Sequence, residues 1–163
     1  MKSLKMRVLG GAVIVMCAAF SAATFAATIG PAGTSFSATG SIITSTQFYA
    51  NSGCGITVSG VVASDGSYAQ INSAAITDGG VCGLPVLNGL PWKLVATSAT
   101  TFSIENFGFG YAISGLGECG PSTINGSWNV AANTLTTSNQ PLGGKCTVNY
   151  LSIKASPALT VSP

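Results

Sequence analysis

Few side chains in this 163-residue chain are equipped for acid–base, nucleophilic or metal chemistry: Asp65, Asp78, Glu105 and Glu118, five cysteines, and no histidine. Without an imidazole, the commonest general base, the usual partner of a Ser or Cys nucleophile and the commonest metal ligand are all missing. Two carboxylates alone suffice for glycoside hydrolysis. Here, however, Asp65 and Asp78 fall in turn-forming stretches and Glu118 abuts Cys119, so all four read as turn and surface residues. No Asp-x-Asp cluster is present to hold Ca²⁺, and thiols in an exported chain are expected to be oxidised. We assign no catalytic, cofactor-binding or metal residues, expect no cofactor, and do not read the chain as an enzyme.

Two short motifs need a structural context to mean anything. Gly115-Leu116-Gly117-Glu118-Cys119-Gly120 fits the glycine pattern of dinucleotide-binding folds. That pattern must open a helix, whereas Pro121 to Gly126 continues as turn and strand, so it is rejected. Asn125-Gly126-Ser127 matches a glycosylation acceptor by pattern only and is read as a polar turn.

The compartment follows from the amino terminus. Lys2, Lys5 and Arg7 precede an uncharged apolar run over 8–20 that leads to small residues at Ala26 and Ala27. This is the layout of a secretory signal peptide, with cleavage expected after Ala26 and a single domain over 27–163. Met16 is too bulky for the residue before a lipid-anchored Cys17. Past the leader, Lys93, Lys145 and Lys154 face four carboxylates, which excludes the basic surface that nucleic acid requires. No later apolar run reaches the ~20 residues of a membrane-spanning helix. A secreted or cell-surface location without a transmembrane segment is expected.

The four cysteines beyond the leader, Cys54, Cys82, Cys119 and Cys146, then read as two disulfides with three possible connectivities. Both intervals begin Cys-Gly, carry Thr-x-x-Gly and end Gly-Gly-x-Cys. Each resembles a hairpin with cysteines near its open end, so pairing in sequence order is preferred. In the loop-entropy picture each ring restricts the unfolded chain by about 3.5 kcal/mol.

Strands must position all of this. Ser, Thr, Gly, Asn and Ala dominate, while Lys, Glu, Arg and Leu, the good helix formers at exposed sites, are scarce. β-branched and aromatic segments recur between turn signals, which predicts strands at 34–39, 42–49, 56–63, 68–76, 92–97, 102–113, 124–130, 134–137 and 147–155. Turns are expected at Ser64-Asp65-Gly66, Asp78-Gly79-Gly80 and Ala131-Ala132-Asn133. The fold class is all-β: an antiparallel sandwich or barrel-like domain with two disulfide-closed hairpin units.

Two apolar features are left over. Phe107, Phe109 and Tyr111 alternate with glycines, which puts three aromatics on one sheet face, either as a core strand or as a stripe facing lipid, hydrocarbon or sugar. From Gly83 to Trp92 the chain is apolar but broken by Pro85, Gly89 and Pro91, and is read as a loop bearing Leu84, Val86, Leu87, Leu90 and Trp92. Exposed, such a loop marks a contact site; folded over the end of the domain, it is core.

The cysteine frame and the segments VCGLPVLNGLPWKLVATS, ECGPSTING and AANTLTTSNQPLGGKC resemble the small exported bacterial proteins called activators of alkane oxidation. The resemblance spans the leader and most of the remaining chain, and carries no family active-site residues. It implies a secreted, surface-active protein that promotes alkane use by contacting or dispersing hydrocarbon. The contact residues are then expected to be Leu84, Val86, Leu87, Leu90 and Trp92, followed by Phe107, Phe109 and Tyr111. An alternative is a self-associating fibre or biofilm-matrix subunit, in which the stretch over 27–49 adds a strand to a neighbour's sheet. A carbohydrate-binding module, resting on Trp92 and Trp128, is a third reading.

Overall fold

Side chains that alternate between buried and exposed positions mark the strands at once. In β2 (Ser35–Ser45), Phe36, Ala38, Ile42 and Thr44 are buried and their neighbours are not; in β10 (Cys146–Ser156), Val148, Leu151, Ile153 and Ala155 are. The computed structural model describes residues 27–48, 52–111, 113 and 117–163. The remaining strands are β1 (Thr28–Gly30), β3 (Ser52–Val62), β4 (Ala69–Thr77), β5 (Pro85–Asn88), β6 (Trp92–Ala96), β7 (Thr101–Tyr111), β8 (Glu118–Asn129), β9 (Thr134–Leu142) and β11 (Thr160–Ser162). Among the described residues one 3-10 turn is present, over Gly80–Gly83. The predicted leader, Cys17, Tyr49, Gly115 and Leu116 lie outside the described residues.

All pairings are antiparallel, and the sheet runs β5-β7-β6-β4-β3-β2-β10-β9-β8 with β8 returning to β7. Eight strands therefore close into a barrel, and β5 is an additional strand on the β6 edge of β7. The interior is filled by side chains, among them Trp92, Trp128, Phe102, Phe107, Phe109 and Ile42. Of the two expected architectures, the barrel is the one formed.

Three expectations change in detail. The predicted strands 34–39 and 42–49 are one strand, because Gly40 does not turn the chain. It lets β2 approach β10 so closely that a Cβ there would sit 1.8 Å from the Ser152 carbonyl oxygen. Paired with β3 on one side and β10 on the other, β2 is a central strand of the barrel wall and not a spare strand for a neighbour. The proline-broken stretch before Trp92 is likewise not a free loop, since β5 pairs with Gly108 to Tyr111. Between Asn88 and Lys93 four residues face only Asn106 and Phe107 of β7, so the irregular Gly89-Leu90-Pro91 forms a wide bulge in an otherwise continuous arm. Pro85 opens its strand and Pro91 sits in the bulge, the two places where a strand tolerates a missing N–H.

One end of the barrel is covered by β1 and β11, which pair with each other and bury Ile29 and Leu159 beneath them. The buried Asn133 fastens this cap. Its amide donates to the Ala155 carbonyl, and its side-chain oxygen accepts from the Leu159 N–H at 3.1 Å. The opposite end carries both disulfides, Cys54–Cys82 and Cys119–Cys146, in the preferred pairing. Cys82 lies in the 3-10 turn beyond β4. Cys146 lies not on the strand returning from β8 but one turn further, at the first position of β10.

Candidate functional site

The disulfide-bearing end is built from strand termini: the last residues of β2, β4, β7 and β9 and the first of β3, β8 and β10. Segments leaving these termini are expected to be polar, yet three of them each present a large apolar side chain to solvent. Phe48 (61% exposed) follows β2, Val81 (54%) stands in the 3-10 turn after β4, and Ile113 (52%) follows β7. Val86 (52%) projects from β5, beside the same end of β7. Of the six large hydrophobic residues exposed among those described, four occupy this one end; Val130 and Tyr150 lie elsewhere.

The disulfides hold this end in shape. Cys54–Cys82 ties the 3-10 turn that presents Val81 to the start of β3, and Asp78 takes the Gly55 N–H at 2.5 Å beside it. Leu84 closes the turn, donating its N–H to the Val81 carbonyl at 3.3 Å, and is half-buried. Leu87, Leu90 and Tyr111 are partly buried and pack on the core, Tyr111 edge-on to Phe109 with ring centroids 6.1 Å apart.

The residues expected at a contact surface thus divide. Val86 is exposed; Leu84, Leu87, Leu90 and Tyr111 are at the margin; Trp92, Phe107 and Phe109 are 1%, 0% and 1% exposed and line the barrel interior. The physical reason is the pairing of β5 and β6 with β7, which turns the aromatic face of β7 inward and brings Trp92 onto Phe107. Trp92 Nε1 is held by the Asn88 carbonyl at 2.8 Å. Trp128 is also buried, so neither tryptophan offers a ring to sugar. Sequence reasoning passed over Phe48, Val81 and Ile113. Their signal is a large apolar residue just past a strand end, next to glycine, serine or a turn.

Three of the four carboxylates, Asp65, Asp78 and Glu105, have structural partners. Asp65 accepts from the Ser67 backbone N–H at 3.0 Å and its hydroxyl at 2.7 Å, and these two bonds, in that order, hold its pKa below the usual aspartate value. Glu105 lies 3.8 Å from Lys93, whose ammonium also sits over the Tyr68 ring, 5.1 Å from its centroid. Glu118 opens β8 opposite Gly110. Among the described residues no three Cys, Asp or Glu side chains gather as a metal site, and no helix is long and apolar enough to cross a membrane. The glycine motif runs into β8, where a dinucleotide site needs a helix, and Asn125-Gly126-Ser127 is strand rather than the expected turn.

The whole chain, residues 1–163, matches a family model described as alkane oxidation protein activator PraA/PraB-like. No curated protein and no solved structure matches.

Proposed function

Because the chain belongs to the alkane oxidation protein activator PraA/PraB-like family, we propose that it is an exported, non-catalytic protein that promotes alkane use by laying its disulfide-bearing end on a hydrocarbon surface. The observation that carries this reading is the clustering of Phe48, Val81, Val86 and Ile113 at that end, with Leu84 and Tyr111 at its margin. Large exposed apolar side chains brought to one end of a domain point to a contact site there. Removing apolar area from water is worth roughly 25 cal/mol per Å², so an oil contact of about 300 Å² gains on the order of 7 kcal/mol before losses of rotational freedom.

Asp78, Glu118 and Lys145 also stand exposed at this end, so adsorption must seat the apolar side chains while these charges stay in water. Two further properties suit the role. The two disulfides keep the end ordered when its apolar side chains leave water. Export, through the leader over 1–26, would place the protein where alkane is met and where such disulfides form. Promotion of alkane use then comes from wetting or dispersing the hydrocarbon, with the oxidation chemistry left to other proteins.

Interfacial tension at a hexadecane–water boundary tests the proposal. The protein should lower it, and a Val81→Asp, Val86→Asp variant with an unchanged melting temperature should not. Equal activity in protein and variant would sink the reading, as would no effect of either.

A further inference from the structure

We propose that the seam between β8 and β9 is a binding site for a neutral saccharide. It lies in the barrel wall, apart from the apolar end, and does not depend on the hydrocarbon reading.

The seam is a window. β8 and β9 pair only at Ser127, Trp128 and Asn129 against Thr136, Leu135 and Thr134. Beyond these three pairs the ladder opens. It closes again near the disulfide, where the Gly120 N–H meets the Gly143 carbonyl at 3.1 Å and the Gly143 N–H meets Ser122 Oγ at 3.2 Å. In between, side chains replace the missing backbone bonds. Thr137 Oγ1 donates to the Asn125 carbonyl, and Gln140 Oε1 accepts from the Asn125 N–H at 2.9 Å while its amide donates to the Ser138 carbonyl at 3.0 Å. Asn139, at φ 51°, supplies the irregularity that separates the strands.

The result is a cavity of about 280 Å³ whose walls are fixed by hydrogen bonds. This is at the small end of ligand pockets and suits a sugar unit rather than a larger cofactor. Its chemistry narrows the ligand further. Asn125, Ser127, Thr136, Ser138 and Gln140 supply amides and hydroxyls that both donate and accept, and no lining residue carries a charge. An anion or cation would find no counter-charge there, while the walls offer polar and apolar surface in similar measure, as the edges and faces of a sugar do. A polyhydroxyl ligand matches them. Tyr150, 40% exposed at the edge of the cavity, adds an aromatic ring on which the C–H face of a sugar packs while the phenol stays wet.

A glycan array carrying neutral and acidic oligosaccharides, probed with the intact disulfide-bonded protein, tests the site, followed by calorimetric titration of the strongest neutral hit. Neutral glycans should bind. Tyr150→Ala should weaken that binding about tenfold, and Asn125→Ala, which removes none of the bonds holding the seam, should weaken it too. Val86→Asp should leave it unchanged. Free sugar competing with immobilised polysaccharide would show that single units are recognised. The proposal is overturned by no binding at millimolar concentration, by a preference for acidic glycans, or by folded Tyr150→Ala and Asn125→Ala variants that bind as well as the parent.

Discussion

Trp92 and Phe107 stack inside the barrel with ring centroids 4.6 Å apart and planes 39° from parallel. Two aromatics on offer for oil contact are therefore core. Trp92→Ala should cost about 3–5 kcal/mol in urea unfolding. A finer comparison separates the two tryptophans. Trp92→Phe breaks the bond from Nε1 to Asn88, whereas among the described residues Trp128 Nε1 has no partner to lose. Trp92→Phe should be the more destabilising by about 1–2 kcal/mol, and equal midpoints would refute this account.

Gly40 gives β2 its passage past β10. A methyl group there meets the backbone of Ser152, which cannot swing aside as a flexible side chain would. Gly40→Ala should destabilise by about 1–3 kcal/mol or more. Gly53, whose added Cβ would meet only Ile43 Cγ1 at 3.9 Å, should accept alanine with little steric penalty. Thermal melts of the two variants decide whether close approach, and not glycine content, matters.

The disulfides span separations of 28 and 27 residues, so each should contribute about 3.5 kcal/mol through the unfolded chain. Their functional effects should differ. Cys54→Ser with Cys82→Ser releases the turn that carries Val81 and should also raise the protein concentration needed to lower hexadecane–water tension. Cys119→Ser with Cys146→Ser should chiefly lower stability. Matched losses of interfacial activity at equal folded fraction would contradict that division.

Asn133 is 6% exposed and bonds both Ala155 and Leu159. Asn133→Ala leaves a buried carbonyl and N–H unpaired, at about 1–3 kcal/mol. Amide exchange should quicken at Ile29 and Leu159 under the cap before it quickens in β3. Uniform acceleration throughout the barrel would mean that the cap has no independent opening.

Asp65 bears on acid sensitivity. Its carboxylate is favoured in the folded state by Ser67, so its stabilising effect is present above the unfolded aspartate pKa and is lost as pH falls through the lowered folded value. Asp65→Asn should flatten that acid limb of a melting-temperature profile slightly, since the group is fully exposed. An unchanged limb would show that its bonds to Ser67 persist in the unfolded chain.

Local information carried far. Alternation and turn residues placed β3, β4, β6, β7 and β10 within a few residues and found only the second half of β8, and the cysteine spacing favoured the observed pairs. The strands are legible because periodicity involves neighbours along the chain; the cysteine pairing was favoured by a hairpin picture that Cys146, one turn beyond the returning strand, does not follow. The lack of histidine is likewise plain from the composition alone.

Which side of each strand meets water was decided only in three dimensions. A period of two places Phe107, Phe109 and Tyr111 on one face without saying what covers it; closure of β8 onto β7 and the arm of β5 and β6 made that face interior. The same closure left Phe48, Val81 and Ile113 outside, beyond strand ends that no sequence pattern brings together. Register between distant strands depends on the balance of burial over the whole barrel, and that balance exists only once all its walls are in place.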